Sequence, residues 1–224
     1  MSGLRIIGYA EPSPEQWDFT IRGMRNSWES WQKGDSEVQH DAELAIGFDF
    51  GPADTALALR LAQIGSDHGK YLRMLPVIVE IEAPGYWWKE FDTYRVGVEA
   101  SDVTQNSTSM MHTLGREPFH SDMFCFEGID PVAADYLVRS LNRLRDAWIA
   151  TGKHKGPEAA AWRALQQAVP YGFLYHRTVS LNYQVLRSIY HARRNHRLAE
   201  WRTFCTWIEM LPNSALLTTT KEKS

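Results

Sequence analysis

The spacing of apolar positions along the chain alternates between helical and strand-like periods. LRIIGY (4–9) reads as an opening strand. Ser13 followed by Pro14 is a helix start, a capping hydroxyl with proline at the first helical position. From there Trp17, Ile21, Met24, Trp28 and Trp31 recur at steps of four and three. That stripe predicts one helix, closed by Gly34. Residues 35–50 read as a polar link with a short apolar piece, LAIGFDF. A second helix is expected over Pro52–Ile64, with Leu57, Leu61 and Ile64 on one side and Gly65 as its stop. Ser66 or Asp67 can cap a third, short helix with His68 in its first turn, where free N–H groups would face an anion. PVIVEIEA (76–83) predicts a buried strand, broken by Pro84 and Gly85. The next ten residues, YWWKEFDTYR (86–95), predict a helix whose rings are interleaved with charges. Such a surface suits either a pocket that stacks an aromatic ligand or an amphipathic interface.

From Val96 to Asp130 the periodicity is weak and a loop or short helix is expected. PFHSDMFCFEG holds His120, Asp122, Cys125 and Glu127, with His112 upstream, but the spacings match no usual zinc pattern and no metal is expected. Asp130-Pro131 opens a long helix to about Ala150, with a stripe of Val132, Tyr136, Leu137, Leu141, Leu144 and Trp148. Another helix should start at Pro157 and carry Trp162, Leu165 and Val169. Residues 173–181 read as a strand. Asn182 then caps a helix to about Arg194, and a last helix turns Leu198, Trp201, Cys205, Ile208 and Leu211 inward. The tail from about 217 to 224 is expected to be disordered. No linker-like run interrupts the chain, so one domain over 1–224 is expected.

Composition narrows the classes. The chain has 224 residues, 44% hydrophobic, with nine tryptophans and a net charge of -3. Two cysteines do not make a disulfide framework and point to a reducing compartment, hence a cytoplasmic protein. No apolar run is long enough to span a membrane. The mild acidity argues against a general nucleic-acid binder. Against that background, residues 176–202 are a basic block, with Arg177, Arg187, Arg193, Arg194, Arg197 and Arg202 and a single acid, Glu200. The block reads as a solvated helix face or as an anion site such as one for a nucleotide phosphate. No glycine-rich phosphate loop and no Ser–His–Asp signature is present.

Two blocks resemble the flavin-dependent thymidylate synthases. The first runs from Asp67-His68 through the strand, Ala83-Pro84 and the aromatic helix to Arg95, where the family's RHR signature reads Thr93-Tyr94-Arg95. The second is Val169-Pro170, Asn182 twelve residues later, Arg193 eleven after that, and Ala199-Glu200-Trp201. The resemblance implies an α+β subunit, helices packed on a central sheet, assembled as a homotetramer with active sites shared between subunits. It implies FAD as cofactor, a pyrimidine mononucleotide such as dUMP or UMP as substrate, and methylenetetrahydrofolate and NADPH as co-substrates. The reaction implied is modification of C5 of the base, with no catalytic residue on the enzyme attacking it, so that the cofactor does the chemistry and the protein supplies position and charge. By the same resemblance His68, Arg95, Asn182 and Ser188 hold the flavin, and Glu90, Ser109 and Arg193 orient the nucleotide.

The sequence also departs from the family. The first two signature positions are Thr93 and Tyr94. Arginines expected after Ser109 and before Pro170 are Met111 and Gln166. Arg177, Arg187, Arg73 and Lys70 are the candidates to replace their charge. The alternative reading is a non-catalytic homologue that binds a nucleotide or a protein partner, and a third is a polyanion binder using 176–202.

Overall fold

The computed structural model describes residues 3–65, 67–95, 103–156 and 159–220. The α+β expectation holds. In chain order the elements are β1 (Arg5–Ala10), α1 (Pro14–Met24), β2 (Glu37–Asp41), β3 (Leu44–Asp49), α2 (Pro52–Ile64), β4 (Pro76–Pro84), α3 (Gly85–Phe91) and β5 (Thr104–Ser107). Then come α4 (Met110–Thr113), α5 (Pro131–Ala150), α6 (Ala160–Ala168), β6 (Leu174–Asn182), α7 (Tyr183–Arg193), α8 (Ala199–Glu209) and α9 (Ala215–Thr218). One antiparallel sheet has the order β1-β4-β6-β5, and β2 and β3 form a separate hairpin.

The sheet's register explains its two faces. β4 pairs β6 with Val79 opposite Val179 and Ile81 opposite Arg177. Val77, Val79, Ile81 and Ala83 are wholly buried, whereas Ile78 between them is 49% exposed. β4 was expected to be a buried strand; it is buried on one face, because the helices cover one side of the sheet. Onto that face pack Trp87, Trp88 and Phe91 of α3, Tyr183, Leu186 and Ile189 of α7, and Trp201 and Phe204 of α8. A second cluster gathers Leu114, Phe119, Phe124, Leu141, Trp148, Trp162 and Leu165, mainly from α5 and α6.

Several expected elements differ. α1 starts at its capping box, Ser13 with Gln16, as read from the sequence, but stops at Met24. Beyond it the chain turns through short 3-10 segments, with Glu29 in the left-handed region at φ 46°. Trp28 and Trp31 are therefore 79% and 49% exposed, not part of a core stripe. The turn follows from Arg25, which is buried and donates to Asp54 of α2 at 2.5 Å. Residues 37–49 form a hairpin where a link was expected; its turn uses Ala42 at φ 53°, a residue that gives no turn signal. The short helix expected near His68 is a 3-10 turn over Lys70–Met74, and Ser66 lies outside the described residues. The helix over 86–95 is α3 plus a 3-10 turn from Asp92 to Arg95. In α5, Val132 and Tyr136 are exposed while Leu141 and Trp148 are buried, since only the later part of the helix carries the second cluster. The helix expected to start at Pro157 is described from Ala160, and 157–158 lie outside the described residues.

The tail expectation also fails in part. Leu216 and Leu217 are buried, and the buried Arg187 donates to the carbonyls of Leu216 and Thr219 at 2.7 and 2.8 Å. Residues 221–224 lie outside the described residues.

Asp54 holds the 25–54 region together. Its carboxylate accepts from Arg25 Nε, the Asp35 and Ser36 N–H groups and Ser36 Oγ at 2.5–3.0 Å. Burial pushes its pKa up, but the hydrogen bonds from Asp35, Ser36 and Arg25 outweigh it and hold the native value below the ordinary 3.8. A lowered native pKa means this stabilisation is complete above 3.8 and is lost as pH falls further, through the native value. Asp54→Asn should lower unfolding free energy by about 3–5 kcal/mol at neutral pH, because it leaves Arg25 buried without its counter-charge. Urea unfolding at neutral and acid pH checks both points: the difference between the two proteins should shrink in acid.

Candidate functional site

The candidate site lies where α3, the end of α7 and the start of α8 converge. Glu90 comes from α3 and Tyr94 from the turn after it. Arg193 ends α7, His196 sits in the connection that follows, and Trp201 belongs to α8. Glu90 Oε2 accepts from the Trp201 indole N–H at 2.8 Å and lies 3.2 Å from Arg193 Nη1 and 3.7 Å from His196 Nε2. Arg193 Nε donates to the Tyr94 hydroxyl at 2.8 Å. The Arg193 guanidinium also stands 4.8 Å from the Trp201 ring centroid and 5.5 Å from that of Tyr94. The sequence placed Glu90 and Arg193 in one site, and the structure brings them into contact. What the sequence missed is Tyr94 and His196. Tyr94 stood in a departed signature position, and its pairing with Arg193 spans 99 residues.

The fixed aromatic wall behind this cluster is core. Trp87 and Phe91 pack on Trp201 with centroids 4.8 and 6.3 Å apart. Trp87, Trp88 and Phe91 are buried, so the rings of this helix line the core more than an open pocket. Beside it, Arg177 stacks 4.3 Å over Trp88 and donates at 3.0 Å to both Asp92 and Gln105. Two of the arginines suggested as replacements for the lost ones are thus engaged within the protein, Arg177 by Asp92 and Arg187 by carbonyls.

His68 lies elsewhere, exposed between two open clefts of about 970 and 660 Å³ that share Trp28 and Leu61 as walls. Lys33 and Arg60 line the first cleft, and Lys70 and Arg73 the second. The turn carrying His68 abuts α7, since a side chain at Gly69 would come within 3.4 Å of Gln184. Asn182 is buried and its carbonyl oxygen caps α7 at the Val185 N–H, 3.0 Å away. Ser188 is exposed and donates to the Gln184 carbonyl. His68 and Asn182 therefore gather at the first part of α7, Ser188 sits at its middle, and Glu90 and Arg193 lie at its end. Eleven residues of helix separate Asn182 from Arg193, roughly 16 Å. The Arg95 side chain lies outside the described residues.

Ser109 precedes α4 and makes no side-chain cap. Next to it the two departed positions meet: the Gln166 amide lies 3.0 Å from Met111 Sδ. Lys155 reaches the same place, donating to the Met111 carbonyl at 2.8 Å and standing 4.6 Å over the Trp162 ring. Lys155 was not among the candidate cations, because nothing in its local sequence ties it to Met111.

No family model and no curated relative matches the sequence. Solved structures do. Thymidylate synthase X (ThyX) from Helicobacter pylori, with FAD and dUMP, superposes with a TM-score of 0.65 at 18% identity over 96% of each chain. A second structure of flavin-dependent thymidylate synthase ThyX from Helicobacter pylori, complexed with FAD and dUMP, gives 0.64 at 17% identity over 97% of this chain and 98% of the other. The fold is that of ThyX. On a ThyX-like scaffold, then, the chain carries a Glu–Arg–Trp–Tyr cluster at one end of α7 and a His-bearing double cleft at the other.

Trp201→Phe keeps the ring and removes the indole donor to Glu90. Paired with Glu90→Gln in a double-mutant cycle, it should show a coupling of about 1 kcal/mol in urea unfolding. A coupling near zero would mean that the indole does not hold the carboxylate.

Proposed function

We propose that this chain is a flavin-dependent enzyme of the thymidylate synthase kind, modifying C5 of a pyrimidine mononucleotide, dUMP or UMP, with a one-carbon unit from methylenetetrahydrofolate and reducing power from NADPH. The observation that carries the reading is the match of fold over nearly the whole chain to ThyX proteins holding FAD and dUMP. The sequence blocks around His68 and from Pro170 to Trp201 agree with it.

The His68 clefts suit a flavin dinucleotide. They are roomy, they present the exposed Trp28 ring, and their walls carry Lys33, Arg60, Lys70 and Arg73, which complement a pyrophosphate. FAD, when bound, supplies the hydride chemistry. On this reading His68, beside the start of α7, and Ser188, at its middle, orient the flavin, with Asn182 fixing the start of the helix and Arg95 completing the set. Arg193, held by Tyr94 and Glu90, orients the nucleotide, and Ser109 with Lys155 meets its charged end in place of the two missing arginines. No residue of the chain attacks the base. Cys205, buried, has its thiol pushed up to about 12 by burial first, with Glu209 adding to it, and fits no nucleophilic role.

We further propose a homotetramer with shared sites. The separation of His68 and Asn182 from Arg193 along α7 supports it, because each chain would then give these flavin residues to one site and its nucleotide residues to another. Exposed Trp28, Ile64 and Met74 around the clefts supply apolar surface for such contacts. We place the enzyme in the cytoplasm, which suits two unpaired cysteines, Cys125 and Cys205. Among the described residues no helix is long and apolar enough to cross a membrane.

The second reading, a non-catalytic nucleotide- or partner-binding homologue, draws support from Glu90, whose carboxylate already neutralises Arg193, and from the Met111–Gln166 contact where cations were expected. Flavin retention separates the two. The purified full chain, given FAD and desalted, should keep a visible flavin band, and dUMP or UMP should shift it; a folded protein without a band favours the non-catalytic homologue. Arg193→Ala should weaken nucleotide binding about tenfold or more with the fold intact; unchanged affinity removes Arg193 from the site. His68→Ala should lower flavin occupancy, and a fully loaded variant would overturn that assignment.

A further inference from the structure

Glu200 neighbours Trp201 on α8 but faces the opposite side, toward the N-terminal strand and the 124–127 segment. It is 3% exposed. Its Oε1 accepts from the Tyr86 hydroxyl at 2.7 Å and from the Gly3 N–H at 3.2 Å. Both donors are neutral, and among the described residues no cationic side chain bonds to it. A buried carboxylate is normally neutralised by a paired cation or by a metal ion. Arg5, which shares the adjoining cavity, is bonded to Glu82 at 2.9 Å instead.

Two further donors stand beside it. Cys125 Sγ lies 3.4 Å from the Tyr86 oxygen, and one ligand atom each from Cys125, Glu127 and Glu200 all fall within 4.8 Å of one another. A cavity of about 420 Å³, lined by Cys125, Glu127 and Asp122 among others, opens beside them to solvent. The backbone fits closely around the cluster: a Cβ at Gly3 would stand 2.6 Å from Cys125 Sγ.

We propose that Cys125, Glu127 and Glu200 bind a divalent transition-metal ion of the zinc class. A thiolate with two carboxylates is a donor set that such an ion accepts, with water in the fourth position. Ligand atoms around a tetrahedral ion of this kind lie about 3.5 Å apart, so closure needs a small contraction of the three ligand atoms. As the metal–sulfur bond forms, the Cys125 thiol gives its proton to solvent. Tyr86 O–H and Gly3 N–H orient Glu200 from behind, the arrangement that fixes ligands in metal sites. The ion would tie the 124–127 segment to α8. The inference does not depend on the flavin or nucleotide reading.

The test uses the full chain, stripped with a chelator and titrated with Co²⁺ and then Zn²⁺. One equivalent of Co²⁺ should produce a thiolate-to-cobalt charge-transfer band in the difference spectrum, displaced by Zn²⁺. Cys125→Ser should abolish the band. Because Glu200 is buried and its replacement threatens folding, the carboxylate test is the exposed Glu127→Gln, which should weaken Co²⁺ binding about tenfold or more. Absence of the band in folded parent protein, its persistence in Cys125→Ser, or unchanged affinity in Glu127→Gln would each overturn the proposal.

Discussion

Trp201 joins the core to the candidate site, and much else depends on where it is held. Its ring is wholly buried against Trp87 and Phe91, while its N–H reaches out to Glu90. A large ring contributes mostly by burial, and its one polar atom must find a partner. Here that partner is the carboxylate that also meets Arg193. Packing of α8 onto α3 thereby sets the position of the charged residues at the surface. A change in the core at Trp87 or Phe91 would be felt at Glu90 and Arg193 even though both rings are wholly buried.

The charges around that point are mostly answered inside the protein. Arg193 meets Glu90, Arg177 meets Asp92, and Arg187 meets two carbonyls. The basic block that stands out in the sequence is therefore only partly a basic surface in three dimensions. A phosphate approaching Arg193 has to share it with Glu90, whereas Lys33, Arg60 and Lys70 border open clefts near the start of α7. On the proposed reading, charge-driven anion recognition falls near His68 and a less charge-driven contact near Arg193.

Two buried acids show contrasting solutions to the same problem. Asp54 has a guanidinium and several N–H and O–H donors, and it fixes the path of residues 25–54. Glu200 has two neutral donors and a thiol and a second carboxylate nearby. Burying a charge is costly unless it is paired and hydrogen-bonded. The first acid therefore belongs to the scaffold, whereas the second, among the described residues, has no cationic side chain bonded to it.

By itself the sequence determined the elements with local rules. The Ser13-Pro14 start of α1, the Asp130-Pro131 start of α5, the Asn182 cap and the inward stripe of α8 follow from side-chain chemistry within one turn. Family resemblance in two separate blocks singled out Glu90 and Arg193, but their direct contact with each other came only from the fold. Tertiary structure decided the rest. Trp28 and Trp31 fit a helical stripe, yet a distant acid, Asp54, bends the chain before them. The β2–β3 turn runs through an alanine in a left-handed conformation, which carries no turn signal. Cys125 and Glu127 looked unsuited to a metal because their spacing lacks a partner; Glu200 arrives from across the fold, next to Gly3 some 197 residues away. Local preferences act over a few residues and leave a mark in the sequence, while contacts between distant segments depend on how whole elements pack.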